Sequence, residues 1–248
     1  MILSVDWDFF IPTVDAFDLG HHESEFFLSA LWHTRGYLID QMKTSGQEDT
    51  FWEKMREIVD LQTTEIKISE SHLSAFRLVE TSNEHLILVD AHHDCWPFDA
   101  RKKRVACANW VAAWIKLGRH ALGIERTVIW VVPSKEHSKM FEGTIQPGVR
   151  KNILIIHMGQ LGKVLFEDKI NVVHACRSGC WTPPWLDKNW LAFLKASGLE
   201  IKPMDPEPWD GIRERWGEND LQCAIALDKR FRDARESISL QPFQEKVS

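Results

Sequence analysis

The chain reads as an α/β protein: three layers, α/β/α, around a mainly parallel sheet. Two observations predict this. Short apolar runs recur along the chain and alternate with stretches of helical periodicity, and Leu86 to Val89 is an uninterrupted example with the β-branched bias of a strand buried on both faces. Two of these runs, Ile2 to Val5 and Leu86 to Val89, also break directly into acidic clusters. The carboxyl ends of strands are where open α/β sheets place their ligands. At 248 residues and 44% hydrophobic content, the chain can build one large core, so a single domain over 1–248 is expected, with the tail from about 203 peripheral.

The elements follow in order. Ile2 to Val5 is a short strand closed by Asp6-Trp7-Asp8-Phe9-Phe10. A loop with Pro12, Gly20, His21 and His22 leads to a helical pattern from about Glu23 to Met42, stopped by Ser45-Gly46. Phe51, Met55 and Val59 mark a second helix, Asp49 to Leu61. Thr64 to Ile68 alternates as a strand and ends in Ser69-Glu70-Ser71-His72, and a short helix from Leu73 to Glu80 precedes the strand at Leu86. Ala106 to Leu117 is a strongly apolar helix with Gly118 as its expected stop. Strands are expected at Arg126 to Val132, Asn152 to His157 and Ile170 to Cys176. Ser134 to Gly148 reads as irregular or a short helix, and Gly159 to Glu167 as a connection or small hairpin. Arg177 to Pro184 is a loop, Trp185 to Ser197 an amphipathic helix, and Asp220 to Arg235 a last helix.

Composition narrows the class of function. A net charge of −6 gives no electrostatic reason for a nucleic acid or an anionic membrane as partner. Asp6 and Asp8 interrupt any signal-peptide pattern, and no apolar run approaches the roughly 20 residues that span a bilayer. The five cysteines (Cys95, Cys107, Cys176, Cys180 and Cys223) are odd in number and contain no Cys-x-x-Cys pair, which points to free thiols in a reducing cytoplasm. Twelve Trp stand against a single Tyr. Most will pack in the core or at its rim, and some can line a groove for an extended substrate.

The chemistry concentrates in Asp6 and Asp8, in Asp90, His92 and Asp94, and in His72. Within each acidic cluster the ligands sit at alternate positions, which in an extended chain share one face. Parallel strands would bring their carboxyl ends to one edge, where all six side chains could converge. Four carboxylates gathered in one pocket repel unless cations sit among them. Oxygen ligands with a few nitrogens suit Mn²⁺ or Mg²⁺, and six ligands suit two ions sharing bridging carboxylates.

Ser4-Val5-Asp6-Trp7-Asp8 and Asp90-Ala91-His92-His93-Asp94 resemble the two metal-binding motifs of the arginase (ureohydrolase) superfamily, Ser-x-Asp-x-Asp and Asp-Ala-His-x-Asp, in reversed order. With Glu70-Ser71-His72, Asn109-Trp110, Ile129-Trp130 to Pro133, and Arg177-Ser178 followed by Pro183-Pro184, the chain is similar to an arginase-like family that includes peptide arginases, which convert arginine side chains of ribosomally made peptides to ornithine and urea. The resemblance implies an arginase/deacetylase-like fold with rearranged topology, two Mn²⁺ per chain, and an arginine-containing precursor peptide as partner. It implies that Asp90 and Asp6 bridge the ions, that His72 and Asp94 complete one shell and His92 and Asp8 the other, and that Asp94 also steadies the attacking hydroxide.

The chain departs from ordinary arginases in several respects, among them the lack of motifs that hold a free amino acid's α-amino and α-carboxylate groups, which favours a larger substrate. The late loop Cys176-Arg177-Ser178-Gly179 offers no Glu to grip a guanidinium, so Glu70 is the candidate substrate-binding residue. His21, His22, His93 and His174 are candidates for a proton shuttle or for structural roles. The segment Trp181 to Trp185 suits either a peptide-binding rim or simple packing. Three other readings stay open: a single-zinc amide hydrolase of the deacetylase kind, a ureohydrolase acting on free arginine or agmatine, and a non-catalytic binding protein that retains the fold. The paired carboxylates Asp8 and Asp94 favour two ions over one.

Overall fold

A computed structural model describes residues 1–12, 31–80, 85–99, 101, 104–164, 169–204 and 212–239. Its strands are β1 (Ile2–Asp6), β2 (Asp60–Leu61), β3 (Glu65–Ser69), β4 (Leu86–Val89), β5 (Val128–Val132), β6 (Ile153–His157), β7 (Lys169–Ile170), β8 (Val172–Cys176) and β9 (Glu200–Pro203). The α-helices are α1 (Glu48–Ile58), α2 (Leu73–Val79), α3 (Trp110–Leu117), α4 (Lys135–Phe141), α5 (Leu161–Val164), α6 (Asp187–Ala196) and α7 (Glu218–Ser239).

Seven strands form one sheet in the order β6-β5-β4-β1-β8-β3-β9, and every pairing in it is parallel. β2 and β7 pair separately, also in parallel. The pleat divides the core in two. Leu3, Val5, Ile87, Val89, Ile129, Val131, Val173 and Ala175 face a layer that contains Phe51, Trp52, Trp190 and Phe193 of α1 and α6. Ile2, Leu86, Leu88, Val128, Trp130 and Val132 face the layer of Val79, Trp110 and Trp114 from α2 and α3. This is a three-layer α/β/α arrangement. β4 and β5 are buried along their whole length, as continuous apolar runs with helices on both faces require.

Parallel pairing puts the carboxyl ends of β4, β1, β8 and β3, four neighbours in the sheet, on one edge. Directly beyond β1, an aromatic block fixes the chain. Trp7 lies 5.1 Å from Phe10, 5.1 Å from Phe193 and 5.4 Å from Trp190, centroid to centroid. The same Phe193 carbonyl accepts a hydrogen bond from Trp52 Nε1.

Several boundaries differ from the sequence reading. The pattern from Glu23 to Met42 falls partly outside the described residues, as do His21 and His22; in its described part, Gly36–Leu38 is a 3-10 turn. The helix expected to reach Leu61 ends at Ile58, because Val59 turns extended (φ −135°, ψ 151°) and the next two residues pair with β7. α3 ends at Leu117 with Gly118 as its cap, but Gly118 does not end the helical path. The chain continues through a π-turn at Gly118–Leu122 and ends at Gly123, whose φ of 67° is the left-handed conformation glycine permits. Gly118 answers a different need: a Cβ there would lie 2.7 Å from Cδ and Nε of Arg126, which packs against it. Gly159 to Glu167 holds α5 rather than a hairpin in its described part. β9 was not anticipated, since Glu200-Ile201-Lys202-Pro203 is short, charged and at the sheet's edge. Among the described residues, no helix is long and apolar enough to cross a membrane.

Phe193 touches Trp7, Phe10, Phe51, Trp52 and Trp190 and is 2% exposed. Its replacement by alanine is expected to cost about 3–5 kcal/mol of folding stability. Urea denaturation should show this as a lower midpoint at unchanged slope.

Candidate metal centre

The two acidic motifs adopt the same local structure. β1 ends at Asp6, whose Oδ1 accepts a hydrogen bond from the backbone N–H of Asp8 (3.2 Å). β4 ends at Val89, and Asp90 Oδ1 accepts from the N–H of His92 (2.7 Å). In each case an aspartate closes a turn on the residue two positions on, the local bond that Asp favours. The shared direction of Asp6 and Asp8, and of Asp90 and His92, therefore comes from turns and not from the strand alternation expected of an extended chain. Asp8 itself sits in a 3-10 turn, Trp7–Phe10.

These turns meet. His72 follows β3 and presents Nδ1 to three carboxylates: Asp6 Oδ2 at 3.1 Å, Asp90 Oδ2 at 3.0 Å and Asp94 Oδ2 at 3.0 Å. His92 Nδ1 lies 2.9 Å from Asp8 Oδ2 and 3.8 Å from Asp90 Oδ1. All six residues expected at the site are thus at one edge. Two groups have ligand atoms within 4.8 Å of one another: Asp6, His72 and Asp90, and Asp8, Asp90 and His92. Asp90 belongs to both. Asp94 adjoins the first group through His72.

A second layer of side chains orients the first. Trp110 Nε1 donates to Asp94 Oδ2 (2.5 Å), and the Asp94 carbonyl accepts from Val111 N at 3.1 Å, at the start of α3. Asp94 is held at φ 49°, a left-handed conformation that costs a non-glycine residue energy and that is kept here by these contacts at both ends. Ser178, also left-handed (φ 56°), donates from Oγ to Asp6 Oδ2 (3.0 Å). Its loop is tied down by Arg177, fully buried, which pairs with Glu70 and lies 3.6 Å from Asp187. Arg215 completes this network, donating to Asp187 and, from Nη1, to the Gly179 carbonyl (3.0 Å). The segment after 203, expected to be peripheral, is anchored here: Arg215 is nearly buried and Trp216 is 5% exposed.

Electrostatics show what such a cluster requires. Burial, followed by the charges of Asp94, Asp8 and Asp6, pushes the Asp90 carboxyl well above the usual carboxylate range. Burial opposes a charge on His72, but its contacts with Asp6, Asp90 and Asp94 outweigh this and hold the imidazole well above its ordinary value. His72 Nδ1 and Asp90 Oδ2 are both buried and neither makes a well-directed hydrogen bond. Lone pairs crowded round a common point, in a low-dielectric site with excess negative charge, fit a divalent cation with oxygen and nitrogen ligands.

The site lies in a cavity of about 60 Å³ lined by Asp6, Asp8, His72, His92, Asp94, Trp96, Cys107, Ala108, Ser178 and Trp181. Trp96 is 42% exposed at its mouth, and the Trp181 ring lies 5.1 Å from that of His92. Glu70, the expected substrate-binding residue, is placed otherwise. Its carboxylate takes Nε of the chain's own Arg177 (2.6 Å), and it does not line the cavity. His93 is engaged by the protein through both ring nitrogens, accepting from Cys95 N at Nδ1 and meeting Thr144 Oγ1 at Nε2. Burial lowers its pKa to about 4. His174 bonds Ser4 and Ser69 and is held well below its ordinary value by burial and then by His72. Ser4 and Ser178 lay within the quoted motifs, but nothing in their spacing revealed which ligand each one supports. Trp96 carried no signal beyond its position after the acidic cluster.

Comparison with family models, with curated proteins and with solved structures finds no match to this chain.

A cation needs His72 neutral and Asp90 ionised, so binding must release protons. His72 has a folded-state pKa above its unfolded one; the stability it contributes to the metal-free protein is complete below about pH 6.5 and is lost as pH rises through the folded value. Asp90, raised likewise, carries a cost that grows as pH climbs from its unfolded value toward its folded one. Chelator-treated protein should therefore melt at lower temperature as pH rises from about 6 to 8, while affinity for a divalent cation increases over the same range. Calorimetry in buffers of different ionisation enthalpy would show the released protons. An affinity independent of pH would contradict this exchange.

Proposed function

We propose that this chain is a dinuclear manganese hydrolase that converts arginine side chains of a precursor peptide to ornithine and urea. The observation that carries the reading is Asp90, one carboxylate common to two buried ligand groups. A residue so placed suits a bridge between two cations. The resemblance of the Asp6 and Asp90 motifs to those of arginases supplies the reaction class.

In this reading Asp90 and Asp6 would be shared by the two ions, His72 and Asp94 would complete the ligands of one, and Asp8 and His92 those of the other. When bound, such a pair would lower the pKa of a water held between these residues so that it can act as a nucleophile near neutral pH. Around it the chain positions and selects. Trp110 fixes the Asp94 carboxylate by its indole N–H, and Ser178 fixes that of Asp6. At the cavity the indoles of Trp96 and Trp181 offer a cationic side chain their aromatic faces. With Glu70 given over to Arg177, these groups take up guanidinium recognition. The cavity is small, so a flat side-chain tip would enter while a peptide backbone stays at the mouth, beside Trp96.

Incubation of Mn²⁺-loaded protein with arginine-containing peptides should release urea and lower peptide mass by about 42 Da for each arginine, the CN₂H₂ lost when water cleaves a guanidinium. Asp90→Asn should lower the rate by at least about 100-fold, since even outer-shell partners weigh 10–100-fold and a shared ligand no less. Elemental analysis should find two Mn per chain. One Zn and no Mn would favour a deacetylase-like amide hydrolase instead, and faster turnover of free arginine or agmatine would remove the peptide from the claim.

A further inference from the structure

We infer that His174, acting through Ser4, is a positioning residue that sets the tautomer of His72 and thereby turns the Nδ1 lone pair of His72 toward the metal position. The inference rests on the reading of Asp6, His72 and Asp90 as cation ligands. It is drawn from a file of buried polar groups in the α2/α3 layer that the reaction itself does not use.

His72 Nε2 lies 2.9 Å from Ser4 Oγ, Ser4 Oγ lies 2.9 Å from His174 Nδ1, and His174 Nε2 lies 2.9 Å from Ser69 Oγ. Ser69 Oγ then meets the Ser71 carbonyl at 2.9 Å. Ser4, Ser69, His72 and His174 are all at most 2% exposed. The sheet sets the spacing, since Ser4 and His174 are direct register partners in β1 and β8, and Ser69 pairs with Cys176 two residues further on.

The far end of this chain dictates the direction of every proton in it. A carbonyl can only accept, so Ser69 donates to Ser71. The Ser69 oxygen then accepts from His174 Nε2–H. With both hydrogen-bond partners of His174 being hydroxyls, no carboxylate offsets a charge on it, and the neutral ring presents Nδ1 as an acceptor. Ser4 donates to that nitrogen, and its oxygen is left to accept from His72 Nε2–H. The remaining nitrogen of a neutral His72 is Nδ1, unprotonated, the atom 3.0–3.1 Å from Asp6, Asp90 and Asp94. The His174 ring also stacks on that of His72 at 5.9 Å and 15°, while Trp110 meets its face at 5.1 Å, so the ring plane is held together with the tautomer. The relay begins on His72 and terminates on the carbonyl of the residue before it. The turn carrying the ligand is thus closed on itself. Outer partners of this kind hold a ligating histidine in one orientation and raise its basicity.

His174→Phe keeps an aromatic ring in the layer but frees the Ser4 hydroxyl to donate to His72 Nε2, which favours the Nδ1–H tautomer and blocks the ligand. Mn²⁺ affinity should weaken by about 10–100-fold. His174→Gln retains an amide oxygen for Ser4 and an N–H for Ser69, and should recover most of that loss. Long-range ¹H–¹⁵N spectra of the Mg²⁺-loaded unsubstituted protein should show both His72 and His174 protonated at Nε2. Should His174→Phe fail to fold, Ser4→Ala together with those spectra carries the test. Equal affinities in the Phe and Gln variants, or His72 protonated at Nδ1, would overturn the inference while leaving a metal site in place. Failure of the unsubstituted protein to bind any divalent ion would remove the metal site and the inference together.

Discussion

Four carboxylates, Asp6, Asp8, Asp90 and Asp94, lie at most 6% exposed around two imidazoles. Their mutual repulsion in a desolvated pocket is the constraint on which the rest of the arrangement depends. Proton uptake by His72 and Asp90 relieves it in part, and a cation relieves it further. Everything next to the cluster helps to hold it against that repulsion: indole N–H to Asp94, hydroxyl to Asp6, backbone N–H to Asp6 and Asp90.

The scaffold tolerates the strain because the positions that bear it are fixed by packing on the far side of the turn. Trp7 sits between the two acidic residues of the first motif and is locked in the aromatic block of Phe10, Trp190 and Phe193. Asp94 is held left-handed by α3, which takes its carbonyl and whose first residue binds its carboxylate.

Much of this was legible in the sequence. Buried parallel strands announce themselves as unbroken apolar runs, and residues just past their carboxyl ends must share an edge, so Asp6, Asp8, His72, Asp90, His92 and Asp94 could be grouped without coordinates. The reason given for their alignment was incomplete, since a strand's alternation and an aspartate-closed turn bring residues two apart to the same side. Glu70 misled because a carboxylate near a site says nothing about which guanidinium it meets, and Arg177 lies 107 positions away in the chain. The His72–Ser4–His174–Ser69 file was invisible for the same reason: its direction depends on register between strands, and each residue alone is an ordinary polar residue in an apolar segment. Gly118 and Gly123 show that a glycine after a helix can serve close packing or a left-handed turn, which only the neighbour, Arg126, distinguishes.

Arg215 reaches the Gly179 carbonyl and shares Asp187 with Arg177, while Ser178, between Arg177 and Gly179, holds Asp6. The first strand and a stretch close to the C-terminus are therefore mechanically in series, joined by one loop. A pull on Arg215, just ahead of the last helix, would bear through that loop on Asp6, five residues from Met1, so the cluster shares its mechanical support with a segment more than 200 positions away.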